Sequence, residues 1–152
     1  MRLSRNRLAV AAGTVATAVA GGVATDPSSA WFGRLDKPGW YPPPATFGIV
    51  WTALYAGIAW AGGELLERSP DPALRPALAA NLALNAAWTP LFFRAHRPAL
   101  ATAECAVLAV SSADLVRRAL PVSRAAAAVL VPYAAWTAFA TALSGSIARR
   151  NR

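Results

Sequence analysis

Residues 125–148 read AAAAVLVPYAAWTAFATALSGSIA, a stretch without a single charged side chain. A helix needs about 20 residues to cross the ~30 Å hydrocarbon layer of a bilayer, and this stretch is long enough. The same pattern recurs outward from it. Residues 8–25, 38–63 and 76–93 carry no charge, and residues 98–116 carry only Glu104 and Asp114. Isolated strands cannot span lipid, because their backbone groups would find no partners there. The chain therefore reads as all-α, one integral membrane domain of five transmembrane helices over residues 8–25, 45–66, 76–93, 98–116 and 125–148.

Composition fits. Charged residues make up 14% and hydrophobic residues 56% of the chain, against roughly 25% charged in ordinary soluble proteins. The net charge of +8 would suit nucleic acid if the cations were clustered on one face. They instead sit in small groups at segment ends (Arg2, Arg5 and Arg7; Arg117 and Arg118; Arg149, Arg150 and Arg152), where lipid headgroups meet them. The expected partner is the bilayer, not nucleic acid. A lone cysteine, Cys105, excludes an internal disulfide and any multi-cysteine metal site.

The connections agree with the spans. Residues 26–44 contain KPGWYPPP, whose prolines at 38, 42, 43 and 44 forbid a regular helix there. Pro76 and Pro98 fall at helix starts, where a missing N–H costs nothing. The first segment has two readings. A basic start, an apolar run and small residues also describe a cleavable signal peptide, whereas Ala9, Gly13, Thr17 and Gly21 form a small-residue stripe suited to close helix contact. Sidedness stays open, because Lys and Arg number eight on one side and seven on the other.

Helical periodicity sorts the remaining polar and aromatic residues. Phe47, Trp51, Tyr55, Ile58 and Gly62 share a face of the second span, and Val129, Tyr133, Trp136, Ala140 and Ser144 one of the fifth. In the third, Asn81, Asn85, Trp88 and Phe92 lie opposite Ala79, Ala83, Ala86 and Pro90. Each of the first three faces joins a large aromatic to a small or polar residue, which suits a flat, mainly apolar ligand. Trp31 and Trp40 read as interfacial or loop-packing residues. Trp51 and Trp136 read equally as pocket or packing, and Asn81 and Asn85 as interhelical hydrogen-bond partners. Glu104 is the carboxyl a span would carry only for a reason. Asp114 pairs with Arg118 four residues on, His96 reads as a solvated loop residue, and Cys105 as a small buried hydrophobe. No hydrolase motif, phosphate loop or metal-ligand cluster is present.

Three motifs resemble the translocator protein family (TspO/MBR, also called tryptophan-rich sensory proteins): WFGRLDKPGWYPPPATFGIVWTALY at 31–55, LALNAAWTPLFF at 82–93 and PYAAWTAFATALS at 132–144. The resemblance covers roughly residues 31–151. It implies a five-helix homodimer whose pocket opens toward a first-loop lid, with porphyrins or haem as ligands and no obligatory cofactor. The implied ligand contacts are Trp51 and Tyr55; Asn85, Trp88, Thr89 and Phe92; Cys105; Trp136 and Ala140; and, from the loop, Trp31, Phe32, Pro42 and Pro43. Some bacterial members are reported to degrade porphyrins with light and oxygen, which makes Trp51 and Trp136 the catalytic candidates; a solute transporter unrelated to tetrapyrroles is the third reading. The small face of Ala79, Ala83 and Ala86 is the expected dimer interface, and a bacterial cell membrane the expected location. The chain departs from the family pattern at Phe32 (usually tyrosine), Asn81 (often glutamine), Glu104 (often aspartate) and Ser144 (often asparagine). LSGSIARR lacks the central tyrosine of a proposed cholesterol motif, itself a weak pattern, which speaks against sterol recognition.

Overall fold

The computed structural model describes residues 4–152; Arg2 of the first basic group lies outside them. Helix starts follow local chemistry. The Ser4 side chain accepts a hydrogen bond from the Arg7 N–H at the head of α1 (Arg5–Ala24), and Ser29 does the same for the short α2 (Ala30–Arg34). Ser123 caps α6 (Arg124–Arg150). Each satisfies one of the four donors that a helix start leaves open. Helices α3 (Pro44–Arg68) and α5 (Pro98–Ala119) instead begin on proline, whose fixed φ suits the first turn. The connection 26–44, expected as turn and extended chain, thus contains one helical turn. It ends before Pro38, so the prolines do not oppose it.

Helices α1, α3, α5 and α6 are each long and apolar enough to cross a membrane. α4 (Leu74–Thr89) has 16 residues, and a π-helical turn, Pro90–Arg94, carries it on. The cause is Pro90, which has no N–H to give to the preceding turn and whose ring crowds the carbonyl four residues back; the helix widens locally rather than stopping. Among the described residues there is no strand. The protein is a multi-pass membrane bundle of five spanning helices.

These five helices close a ring. α1 packs on α3 and α4, α4 on α5, α5 most extensively on α6, and α6 on α3, whereas α3 and α4 barely meet across the middle. At the end away from the 26–44 connection the ring is tight. A Cβ placed on Gly62 would lie 2.8 Å from Val10 Cγ1 and 2.9 Å from Leu78 Cδ2, and one on Gly63 2.9 Å from Arg7 Cγ. Glycine is needed there because α1 crosses α3 at backbone distance. Arg7 then pairs with Glu64 at 2.8 Å and Glu67 at 2.7 Å, and the Ser4 hydroxyl donates to Glu67. Arg118 joins Asp114 at 2.6 Å, as expected, and also Asp71 at 3.1 Å in the α3–α4 connection.

Candidate functional site

The ring opens toward the 26–44 connection into a cavity of about 540 Å³, a size ordinary for sites that hold one organic ligand. Its walls come from all five spans. α3 supplies Phe47, Trp51 and Tyr55; α4 and its π turn supply Asn85, Trp88, Thr89, Phe92 and Phe93; α5 supplies Cys105; α6 supplies Trp136 and Ala140. Phe32 and Tyr41 of the connection also line it. Aromatic rings touch around the wall. Trp51 stacks on Tyr55 with centroids 5.3 Å apart, Trp88 stacks on Phe92 at 5.3 Å, and Trp136 meets Phe47 edge-on at 5.9 Å.

One side of this apolar chamber is polar. The Tyr55 hydroxyl donates to Asn85 Oδ1 at 2.8 Å, and Asn85 Nδ2 donates to the Tyr133 hydroxyl at 3.0 Å. Tyr133 donates onward to Asn81 Oδ1 at 2.8 Å, and Asn81 Nδ2 reaches Ser111 and Ser112 at 3.0 and 3.1 Å. This chain of bonds, running from the chamber wall into the core, ties α3, α4, α5 and α6 together. Asn85 belongs both to it and to the cavity wall. The indole nitrogens of Trp88 and Trp136 are buried with no protein acceptor, which is costly for a donor in an apolar interior.

The connection lies over the chamber and is fastened at its edges. Asp36 N–H donates to Asn151 Oδ1 at 2.9 Å, Asn151 Nδ2 returns a bond to Asp36 O at 3.0 Å, and Arg150 pairs with Asp36 at 3.3 Å. Trp40 packs edge-on against Phe139. Trp31 stacks on His96 at 4.3 Å and meets Phe92 at 5.5 Å. Lys37 is turned inward, donating to Phe32 O at 2.6 Å and lying 4.3 Å from the Phe32 ring centroid. Half-burial also pushes the Tyr41 phenol above its ordinary range.

Ten of the thirteen implied ligand contacts therefore line one chamber. Trp31, Pro42 and Pro43 do not line the chamber. Trp31 stands behind Phe92. Glu104 lies outside the lining, and neither carboxyl oxygen has a hydrogen-bond partner; its role has no account in this geometry. His96 is exposed, separated from the chamber by Trp31. Cys105 is buried and its thiol donates to Thr137 O at 3.7 Å. Among the described residues no three His, Cys, Asp or Glu side chains gather as a metal-holding group. Ala79 and Ala83 are exposed on the outer side of α4, and Ala86 is half-buried.

Two contributions were not read from the sequence. Phe93 lines the chamber beside Phe92 because the π turn breaks the 3.6-residue period. α1 provides Ala18, Gly21, Gly22 and Thr25, small side chains that carry no chemical signal; only the Gly21 of the four-residue stripe hinted at it.

The sequence comparisons agree with this architecture. The model of the TspO/MBR family matches residues 9–150. The chain is 33% identical to the translocator protein of Homo sapiens, over 80% of this chain and 75% of that one. It is 32% identical to the tryptophan-rich sensory protein of Cereibacter sphaeroides, over 80% and 77% respectively, and 30% identical to the tryptophan-rich protein TspO of Bacillus cereus, over 77% and 78%. With the match running from α1 to the end of α6, the chain belongs to the TspO/MBR family.

Proposed function

We propose that the chamber binds one tetrapyrrole of the protoporphyrin class, and that the protein acts as a membrane receptor or carrier for it, as a homodimer. The observation that carries the reading is the wall itself: Trp51, Trp88 and Trp136 surround a single cavity of about 540 Å³ with one polar side. A flat macrocycle offers large apolar faces to these rings, and its few polar atoms suit the second N–H of Asn85 as donor and the Tyr55 oxygen as acceptor. Of the usual haem ligands, histidine is not in the wall: His96 is exposed and absent from the lining. The reading therefore favours a metal-free porphyrin, or haem held without histidine ligation.

The test is a titration with protoporphyrin in detergent or nanodiscs, followed by tryptophan fluorescence. Removing an aromatic contact costs about 0.5–1.5 kcal/mol beyond lost area, so Trp136→Ala should weaken binding at least several-fold. Equal affinity of parent and variant would remove the ligand from this chamber. A light- and oxygen-dependent breakdown of the porphyrin is the second reading, favoured by the contact of Trp51 with Tyr55 at 5.3 Å and Tyr133 at 6.4 Å, a string of oxidisable rings leading from the wall into the core. Illumination of the complex in air, with the pigment products separated by chromatography, decides it: an altered, ring-opened product in the parent and none in Trp51→Phe supports catalysis.

A further inference from the structure

On the water side the connection lies across the chamber, yet part of the chamber's lining is exposed. The connection is held at the α6 end by the Asp36–Asn151 pair of hydrogen bonds and at the α4 end by the Trp31–His96 stack. Apart from Pro27 in the connection itself, the exposed lining residues lie on two spans: Gly22 and Thr25 near the end of α1, and Pro44, Gly48 and Thr52 on the first turns of α3. A Cβ placed on Gly22 or Gly48 meets nothing within 4 Å. No neighbouring side chain therefore fills the space beside these two glycines, although α1 and α3 pack closely at the far end of the bundle and Gly21 still approaches Tyr55. The flanks of the gap are strongly apolar: Val19 is 58%, Val23 71% and Ile49 71% exposed. In a spanning helix such side chains face acyl chains.

We infer that the chamber opens sideways, between α1 and α3, into the hydrocarbon of the leaflet on the lid side, and that its ligand is an amphiphile already dissolved in the membrane. This rests on the tetrapyrrole reading only for the ligand's name. The gap needs no lid movement for entry. It selects for molecules that partition into lipid, and it gives the lid a different job, which is to seal the chamber from water.

Cys105 lines the chamber and is the chain's sole cysteine, so it reports access without any porphyrin. In proteoliposomes, lipid-soluble phenylmercury should label it at least about tenfold faster than the charged p-chloromercuribenzenesulfonate, with Cys105→Ser as the blank. Gly22→Leu and Gly48→Leu, made separately, should each slow phenylmercury by about tenfold while leaving the melting temperature near the parent's. Asp36→Ala combined with Asn151→Ala, which loosens the lid, should speed only the charged reagent. An unchanged phenylmercury rate in both glycine variants overturns the proposal, as does a lid variant that accelerates phenylmercury. Protoporphyrin association and dissociation are then measured in the same variants. Both rates should fall in the glycine variants. If the parent binds no porphyrin but the labelling pattern holds, the tetrapyrrole reading fails and the lateral opening stands.

Discussion

Tyr133 is 1% exposed and its hydroxyl serves two asparagines at once, accepting from Asn85 and donating to Asn81. Interhelical hydrogen bonds within membranes average about 0.6 kcal/mol each, so Tyr133→Phe should lower stability by about 1–2 kcal/mol, once the cost of stranding two buried amides is included. Tyr55→Phe, which strands one partner and leaves the rest intact, should cost about half as much. Thermal melting in a mild detergent separates the two, and an order in which Tyr55 matters more would remove Tyr133 as the hub. His96 supplies a second check at this scale. It is the one described non-glycine residue with positive φ, at 52°, closing the π turn while its ring stacks on Trp31. With that packing role and no place in the chamber wall, His96→Ala should leave the Soret band of any bound haem unmoved while lowering the melting temperature. A shifted Soret band would make it an iron ligand instead. Most of these residues were legible in the sequence, because in a span an asparagine or tyrosine stands out against alanine and leucine. Their partners were not. Asn81 reads simply as glue, and only the fold shows that it reaches Ser111 and Ser112 rather than the carboxyl of Glu104.

Helix boundaries follow from prolines and serines that can be read directly, but two element-scale features resist a periodic reading. The π turn at Pro90 brings neighbouring residues Phe92 and Phe93 to the interior, where a uniform 100° step places only one of them. α1 is the other. Its composition suits a cleavable leader as well as a spanning helix, and its contribution lies in what it lacks: bulk at Gly13 and Gly21, and charge after Arg7. In the fold it is a wall of the chamber and is locked to α3 by Val10 on Gly62 and by the Arg7–Glu64–Glu67 ion pairs. Gly62→Ala should therefore overpack that crossing and destabilise by about 1–3 kcal/mol, because the β-branched Val10 has no rotamer to retreat into. Gly22→Ala, on the same pair of helices but with open space above it, is the matched control and should be near neutral. Equal melting of the two variants would mean that α1 is only loosely attached.

At the scale of the whole molecule the number of spans is visible in the charge spacing, and the order in which they meet is not. A span's lipid-facing and core-facing sides are both apolar, so the contrast that orients helices in water is missing. The exposed Val15, Val107 and Val110 and the buried Leu108 and Leu115 are the same kind of residue by composition. The ring sequence α1–α4–α5–α6–α3 emerges only from packing. α4 is where inner and outer sides differ most. Its inner side carries Asn81, Asn85 and Trp88, and its outer side carries Ala79 and Ala83, both exposed. Small exposed side chains let a second backbone approach, and the lost lipid contact is replaced by dispersion along the whole helix. The dimer proposed above should form there, with the two chambers on opposite sides. Ala83→Leu adds bulk at the centre of that face and touches no chamber residue. It should convert dimers to monomers, measured by light scattering after size exclusion in detergent, with protoporphyrin affinity in the monomer within about twofold of the parent's. Substitution on another lipid-facing surface, Val110→Leu on α5, should leave the dimer intact. If Ala83→Leu remains dimeric while Val110→Leu dissociates, the interface belongs to α5, and the small outer side of α4 is simply where this bundle meets lipid.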